Sequence, residues 1–158
     1  MFDVLLGGRF GDPVTGARVL DLFAGTGALG LEALSRGASE ATFVDDGTKA
    51  LALAGENIRR CRADSRAQLL RRDATNLGRR GGFAFDLVFL DPPYGEGLGR
   101  RALVSALEGG WLARTALAVW EDGTPQTAPE GFDLLDLRRY GDTHVAFLET
   151  SAVDRDGA

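Results

Sequence analysis

The run Asp91-Pro92-Pro93-Tyr94 places a carboxylate, two residues without a backbone N–H and an aromatic ring directly after the apolar stretch Phe85-Asp86-Leu87-Val88-Phe89-Leu90. Successive prolines fix φ and leave carbonyl oxygens free as acceptors. Such a set suits methyl transfer onto a planar exocyclic amine. The nitrogen lone pair of that amine is delocalised into its ring, so the site must accept hydrogen bonds from the N–H groups and direct the lone pair at an electrophilic carbon. Asp91 and the Pro92 carbonyl supply acceptors, Pro93 completes the rigid turn, and Tyr94 can stack on the base, a contact worth about 1–3 kcal/mol. This chemistry requires no metal, covalent nucleophile or histidine; the remaining acceleration comes from in-line positioning. A rigid strand-ending turn is the bland reading of the same residues.

A second constellation starts at Asp21. In Asp21-Leu22-Phe23-Ala24-Gly25-Thr26-Gly27-Ala28-Leu29-Gly30 the three glycines match G-x-G-x-x-G, and Asp45 follows Gly25 by 20 residues. A strand, a glycine turn, a helix and an acid in that order are the framework of a nucleotide site, the acid accepting hydrogen bonds from ribose hydroxyls. Asp21, four residues before Gly25, opposes a pyrophosphate and favours a sulfonium ligand with a free amino group, S-adenosylmethionine. Asp46 is the alternative ribose ligand, although strand alternation turns only one of the pair inward, and Asp45 is preferred. Asp73 stands where an adenine amino group would be met. Phe23 and Ala74, beside these acids, complete the expected cofactor set of Asp21, Phe23, Gly25, Gly27, Asp45, Asp46, Asp73 and Ala74. His144, Trp111 and Trp120 read as packing residues, and Cys61 as an ordinary half-buried thiol.

These residues need strand ends to position them. Short β-rich runs at Arg18–Phe23, Ala41–Asp45, Gln68–Arg71, Phe85–Leu90 and Ala116–Glu121 alternate with helical patterns near Gly27–Arg36, Thr48–Cys61 and Leu98–Gly109. That alternation predicts an α/β, Rossmann-like fold with a mostly parallel twisted sheet. Gly37 is placed to end the first of these helices. Phe132–Arg139 and Thr143–Thr150, joined through Tyr140-Gly141-Asp142, predict a C-terminal antiparallel hairpin. Residues 1–150 read as one domain and 151–158 as a tail.

Hydrophobic residues at 44% and charged residues at 26% fit a globular chain, and no apolar run is long enough to span a bilayer. The lone cysteine and the absence of a signal peptide pattern predict a cytoplasmic protein. The net charge of −5 opposes nucleic acid binding, but it is uneven: +2 over residues 1–80 and −7 over 81–158. Between Arg59 and Arg80 eight arginines face only Asp64 and Asp73, a local +6 that could serve as an electrostatic footprint or simply be a solvated face.

The loop Asp21–Ala33, the Phe43-Val44-Asp45 strand end, Phe89-Leu90-Asp91-Pro92-Pro93-Tyr94 and Arg139-Tyr140-Gly141-Asp142-Thr143 together resemble the RsmD-type bacterial 16S rRNA guanine-N2 methyltransferases. The likeness runs from about Met1 to Glu149. It implies the class I S-adenosylmethionine-dependent methyltransferase fold and transfer of a methyl group to the exocyclic N2 of a guanine in 16S rRNA, within the 30S subunit or its assembly intermediate. By that resemblance Asp91 and Tyr94 carry the catalytic motif, while Asp21, Gly25, Gly27, Asp45 and Asp73 hold the cofactor. Family members usually carry Glu at the ribose position, where this chain has the shorter Asp45. They also begin with a basic, Arg- and Gly-rich segment ahead of the helix found here at Phe2–Leu6, which would supply RNA contacts and a cover for the cofactor. Alternatives are another exocyclic-amine methyltransferase, acting on DNA adenine or a protein glutamine, and a catalytically idle domain that binds the cofactor or RNA. The expected state is a monomer.

Overall fold

The computed structural model describes residues 1–151. Five parallel strands, β1 (Arg18–Leu22), β2 (Glu40–Asp45), β3 (Ala67–Arg71), β4 (Phe85–Leu90) and β5 (Leu112–Asp122), join an antiparallel pair, β6 (Phe132–Tyr140) and β7 (Thr143–Thr150). They form one sheet in the order β3-β2-β1-β4-β5-β7-β6. The helices are α1 (Phe2–Leu5), α2 (Ala28–Ser35), α3 (Thr48–Arg60) and α4 (Leu98–Glu108). The predicted mostly parallel sheet with a closing hairpin is the one observed.

Strand alternation divides the core between two faces. Leu20, Leu22, Val88, Leu90, Ala118 and Trp120 point to one face, where α4 packs Ala102, Leu103 and Ala106 against them. Val19, Phe43, Leu87, Phe89, Val119 and Phe147 point to the other, covered by Leu5 of α1, Ala33 and Leu34 of α2 and Ile58 of α3. Burial on both sides explains why β4 reads as an almost unbroken apolar run.

From β1 the chain builds outward through β2 to β3, then returns to place β4 on the other side of β1. The β1–β4 boundary is therefore the switch point of the sheet, and in open α/β sheets ligands bind in the crevice beyond the strand C-termini there. Register pairs Leu22 with Leu90, so the loop after β1 and the tetrapeptide after β4 leave the sheet side by side.

Three details differ from the sequence expectation. β5 begins at Leu112 rather than Ala116, because Thr115 adopts φ 65° and the pairing with β4 shifts between Phe85 and Leu87, which breaks the alternation. Cys61 is exposed rather than half-buried, since it follows the last turn of α3 on the outside of the sheet. Ser151 is held by its N–H donating to the Gly131 carbonyl at 2.8 Å, while the rest of the expected tail lies outside the described residues.

Candidate active site

The glycine loop is built by the close approach of α2 to β2. A Cβ on Gly30 would lie 2.4 Å from the Phe43 ring, so only glycine lets the helix sit this near the strand. Gly27 caps α2 at φ 83°, a left-handed conformation that glycine adopts without strain. Asp45 then ties the loop down: one carboxylate oxygen accepts the Gly25 N–H at 2.9 Å and the other accepts the Gly47 N–H at 2.9 Å. Each oxygen keeps a second lone pair for a ribose hydroxyl. Asp46 is exposed. Of the two candidate acids, Asp45 is the one turned toward the glycines.

Asp21 forms the floor of this loop. It is 1% exposed, and among the described residues one backbone N–H, from Gly30 at 3.0 Å, donates to its carboxylate. Burial pushes its pKa up to about 8, against the opposing effect of the Gly30 hydrogen bond and with added repulsion from Asp91 and Asp45. A buried carboxyl group with no cationic partner among the described residues fits the amino end of a sulfonium amino-acid cofactor. Phe23, Asp45, Asp46, Asp73 and Ala74 line one small recess beyond the ends of β1, β2 and β3, with Arg72 on its rim. Phe23 and Ala74 supply apolar wall and the acids supply acceptors, so the recess offers the groups that one edge of an adenosine would meet. Asp73 is exposed and accepts hydrogen bonds from the Thr75 N–H at 2.8 Å and the Thr75 hydroxyl at 2.7 Å, which hold its pKa below the usual range.

At the end of β4, Pro92 is buried while Asp91, Pro93 and Tyr94 are exposed. Tyr94 is fixed from two sides. Its hydroxyl is 3.1 Å from the Thr143 hydroxyl, and a Cβ on Gly123 would come within 2.7 Å of its ring. The hairpin turn Tyr140–Thr143 thus holds the aromatic residue of the Asp-Pro-Pro-Tyr tetrapeptide, and two separate sequence motifs meet in one place.

Glu121 is a residue that sequence reasoning missed. Leu90 pairs with Trp120 across β4 and β5, so the next residues, Asp91 and Glu121, stand on adjacent strand ends. Their carboxyl groups stand close enough to bias each other's protonation, a shared hydrogen bond lowering Asp91 and raising Glu121. Burial raises both pKa values, and mutual repulsion raises Glu121 further. Behind them the buried Asp122 accepts the Trp120 indole N–H at 3.2 Å and the Gly123 N–H at 2.7 Å. The available signal was the position of Glu121 at the end of a strand next to β4.

The Arg59–Arg80 segment does not form one patch. Arg60 pairs with Glu56 at 2.6 Å on α3, and Arg66 donates to the Leu34 and Ala38 carbonyls at the end of α2. Arg72 donates to the Leu77 carbonyl, and Arg80 lies over Phe83, Phe85 and Trp111. Arg59, Arg62 and Arg66 precede the edge strand β3, whereas Asp91 follows the central strand β4. Trp111 and Trp120 are buried, as expected of packing residues.

Comparison with known proteins agrees with this geometry. The family model described as Conserved hypothetical protein 95 matches residues 1–149. A Bacillus subtilis protein provisionally named rRNA methyltransferase YlbH is 37% identical over 140 residues, 85% of this chain and 76% of that protein. Ribosomal RNA small subunit methyltransferase D of Escherichia coli K12 is 34% identical over 125 residues, 77% of this chain; the match spans 62% of the relative, less than two thirds of its length. A Haemophilus influenzae crystal structure provisionally titled methylase HI0767 superposes with a TM-score of 0.81 at 28% identity, covering 94% of this chain and 97% of that one. With the family model spanning all but the last residues, the chain belongs to the RsmD-type ribosomal RNA methyltransferase family, whose model carries the description Conserved hypothetical protein 95.

Proposed function

We propose that this protein transfers a methyl group from S-adenosylmethionine to the exocyclic N2 of a guanine in 16S rRNA, acting as a cytoplasmic monomer on the 30S subunit or its assembly intermediate. The observation that carries this reading is the pair of carboxyl groups, Asp91 and Glu121, beside the Tyr94 ring and next to the glycine loop at the sheet's switch point. Among the described residues no helix is long and apolar enough to cross a membrane.

S-adenosylmethionine, when bound, supplies an electrophilic methyl group on sulfur. Asp21 would hold its amino end, Asp45 the ribose and the Phe23–Ala74 recess the adenine. Guanine presents two neighbouring donors, N1–H and N2–H2, whereas adenine's N6–H2 is flanked by an acceptor at N1. Two adjacent carboxyl groups sharing one proton match the guanine edge: Asp91 accepts from N2–H, and the free carbonyl oxygen of Glu121 accepts from N1–H. Both bonds hold the amino group so that its lone pair projects from the face of the base toward the methyl carbon; as the N–C bond forms, the S–C bond would break with its electron pair left on sulfur, and Asp91 takes the N2 proton. Tyr94, braced by Thr143, stacks on the base and fixes its plane.

The deciding experiment is transfer of labelled methyl to 30S particles, naked 16S rRNA and duplex DNA in parallel, followed by nucleoside analysis. N2-methylguanosine from the ribosomal substrates is expected. Methyladenine from DNA would replace the substrate assignment, and cofactor binding without transfer to any of the three would reject the enzyme reading.

A further inference from the structure

A groove of about 590 Å³ runs along α4, where Arg100, Arg101, Val104 and Ser105 face the segment 75–79 that follows β3. Its floor is fixed by hydrogen bonds. The Leu77 N–H donates to the Ser105 hydroxyl at 2.7 Å, and the Trp111 indole N–H donates to the Gly78 carbonyl at 2.8 Å. Three guanidinium groups line it, Arg79, Arg100 and Arg101, against one carboxylate, Glu108.

Among the described residues, none of these three arginines has a carboxylate within ion-pair distance, in contrast to Arg36, Arg60 and Arg138, which are each paired. Arg100 is anchored by the Thr127 carbonyl and hydroxyl. One end of the groove lies beside the candidate site: Thr75, on its wall, bonds Asp73, and Arg101 acts electrostatically on Asp73. Arg100 also borders the neighbouring cleft at Gly95 and Asp122, next to Tyr94. The first turn of α4 adds the positive end of a helix dipole. On a chain of net charge −5 this strip is a local reversal of sign.

We infer that the α4 groove seats the phosphodiester backbone of the substrate RNA next to the target nucleotide. The inference rests on the RNA methyltransferase reading above. Guanidinium groups without carboxylate partners are free to make paired N–H bonds to phosphate oxygens. A strand lying in the groove would lead directly to the Asp91–Tyr94 edge, so phosphate contacts would set the register while the carboxyl pair reads the base.

The test compares the full chain with R79Q/R101Q and with R79Q alone, measuring binding to naked 16S rRNA and to 30S particles over a range of salt, alongside affinity for S-adenosylhomocysteine and thermal melting. Each phosphate contact contributes about 0.7–0.9 to the slope of log affinity against log salt, so the double variant should lose about 1.5 in slope and the single variant about half of that. Affinity should fall tenfold or more for the double variant. R59Q/R62Q, at the end of α3 on the other face of the sheet, should retain the wild-type slope. Wild-type rRNA methylation with an unchanged slope in folded R79Q/R101Q or R79Q would overturn the groove assignment alone. Loss confined to 30S particles, with naked rRNA binding intact, would assign the groove to a ribosomal protein and also overturn it. Wild-type protein that neither binds nor methylates rRNA would remove both the groove assignment and the function beneath it.

Discussion

Asp91 and Glu121 stand side by side at the C-terminal ends of β4 and β5, where a hydrogen bond between their carboxyls lowers the pKa of Asp91 and raises that of Glu121. A bond between two carboxyls requires one shared proton. Burial favours keeping it on both groups, and repulsion from Asp91 places the stronger hold on Glu121. Glu121 thus holds its proton to higher pH than an ordinary surface glutamate does. One charged and one neutral acceptor suit a base edge whose two donors are both neutral N–H groups.

Glu121→Gln keeps this arrangement, because the amide N–H donates to Asp91 and the amide oxygen accepts from the base. It should retain most activity. It should also hold that activity as pH rises through the raised value at which wild-type Glu121 gives up its proton. Glu121→Ala removes the acceptor and leaves a base donor unpaired, a loss of about 1–3 kcal/mol or roughly 5- to 150-fold in kcat/KM for the RNA substrate. The affinity for S-adenosylhomocysteine should change little in either variant. Equal rates and parallel pH profiles for wild type, Gln and Ala would remove Glu121 from the site.

Tyr94 and Thr143 make a separate prediction. If Tyr94 acts by stacking, Tyr94→Phe should stay within a few-fold of wild type, and Tyr94→Ala should lose about 1–3 kcal/mol of base contact. Thr143→Val removes the hydroxyl that orients the ring, 3.1 Å away, without removing the ring. Its effect should therefore match that of Tyr94→Phe and vanish in the Tyr94→Phe background. A double-mutant cycle on kcat/KM gives the coupling, and additive effects of Tyr94→Phe and Thr143→Val would show that the hydroxyl contact does not position the ring.

The backbone of this site was legible because its signals are local. The apolar run Phe85–Leu90, the glycine spacing and the Tyr140–Asp142 turn each constrain their own neighbours, and the observed elements begin and end within a residue or two of them. Partners distant in sequence were not legible. Arg66 reads as one charge in a basic run, yet it caps α2 through carbonyls 28 and 32 residues away. Glu121 reads as the polar end of a strand until β5 is set beside β4. The groove on α4 combines residues 75–79 with 100–108, a pairing fixed only when the segment after β3 folds over the helix.

Gly30 tests the packing beneath the cofactor loop. In Gly30→Ala the new Cβ would meet the Phe43 ring at 2.4 Å and Asp21 Oδ2 at 3.2 Å, so α2 must move away from the sheet. Overpacking of this kind costs about 1–3 kcal/mol. The displacement also shifts the Gly30 N–H that serves Asp21. Chemical denaturation should show the stability loss, and binding of S-adenosylhomocysteine should weaken with it. Unchanged stability would mean that Phe43 yields freely and that glycine is not required here for packing.

Asp21 predicts a pH dependence of unusual sign. Its folded pKa is raised, chiefly by burial, from the ordinary carboxyl value of 3.8 to about 8. The native state therefore binds this proton more tightly than the unfolded chain does, and stability falls with pH wherever that is so. The contribution is fully present below about 3.8 and is lost progressively as pH rises through about 8. Asp21→Asn keeps an acceptor for the Gly30 N–H but never ionises. Without cofactor it should melt above wild type by a smaller margin at pH 5 than at pH 8, a gap that grows between the two. A bound ammonium would reverse the preference of wild-type Asp21 and expel its proton. Calorimetry at pH 7 in buffers of different ionisation enthalpy should then detect proton release on binding S-adenosylhomocysteine by wild type and less by Asp21→Asn. A melting difference independent of pH would mean that Asp21 is already ionised in the folded chain. Equal proton release in the two proteins would mean that the amino end of the cofactor lies elsewhere.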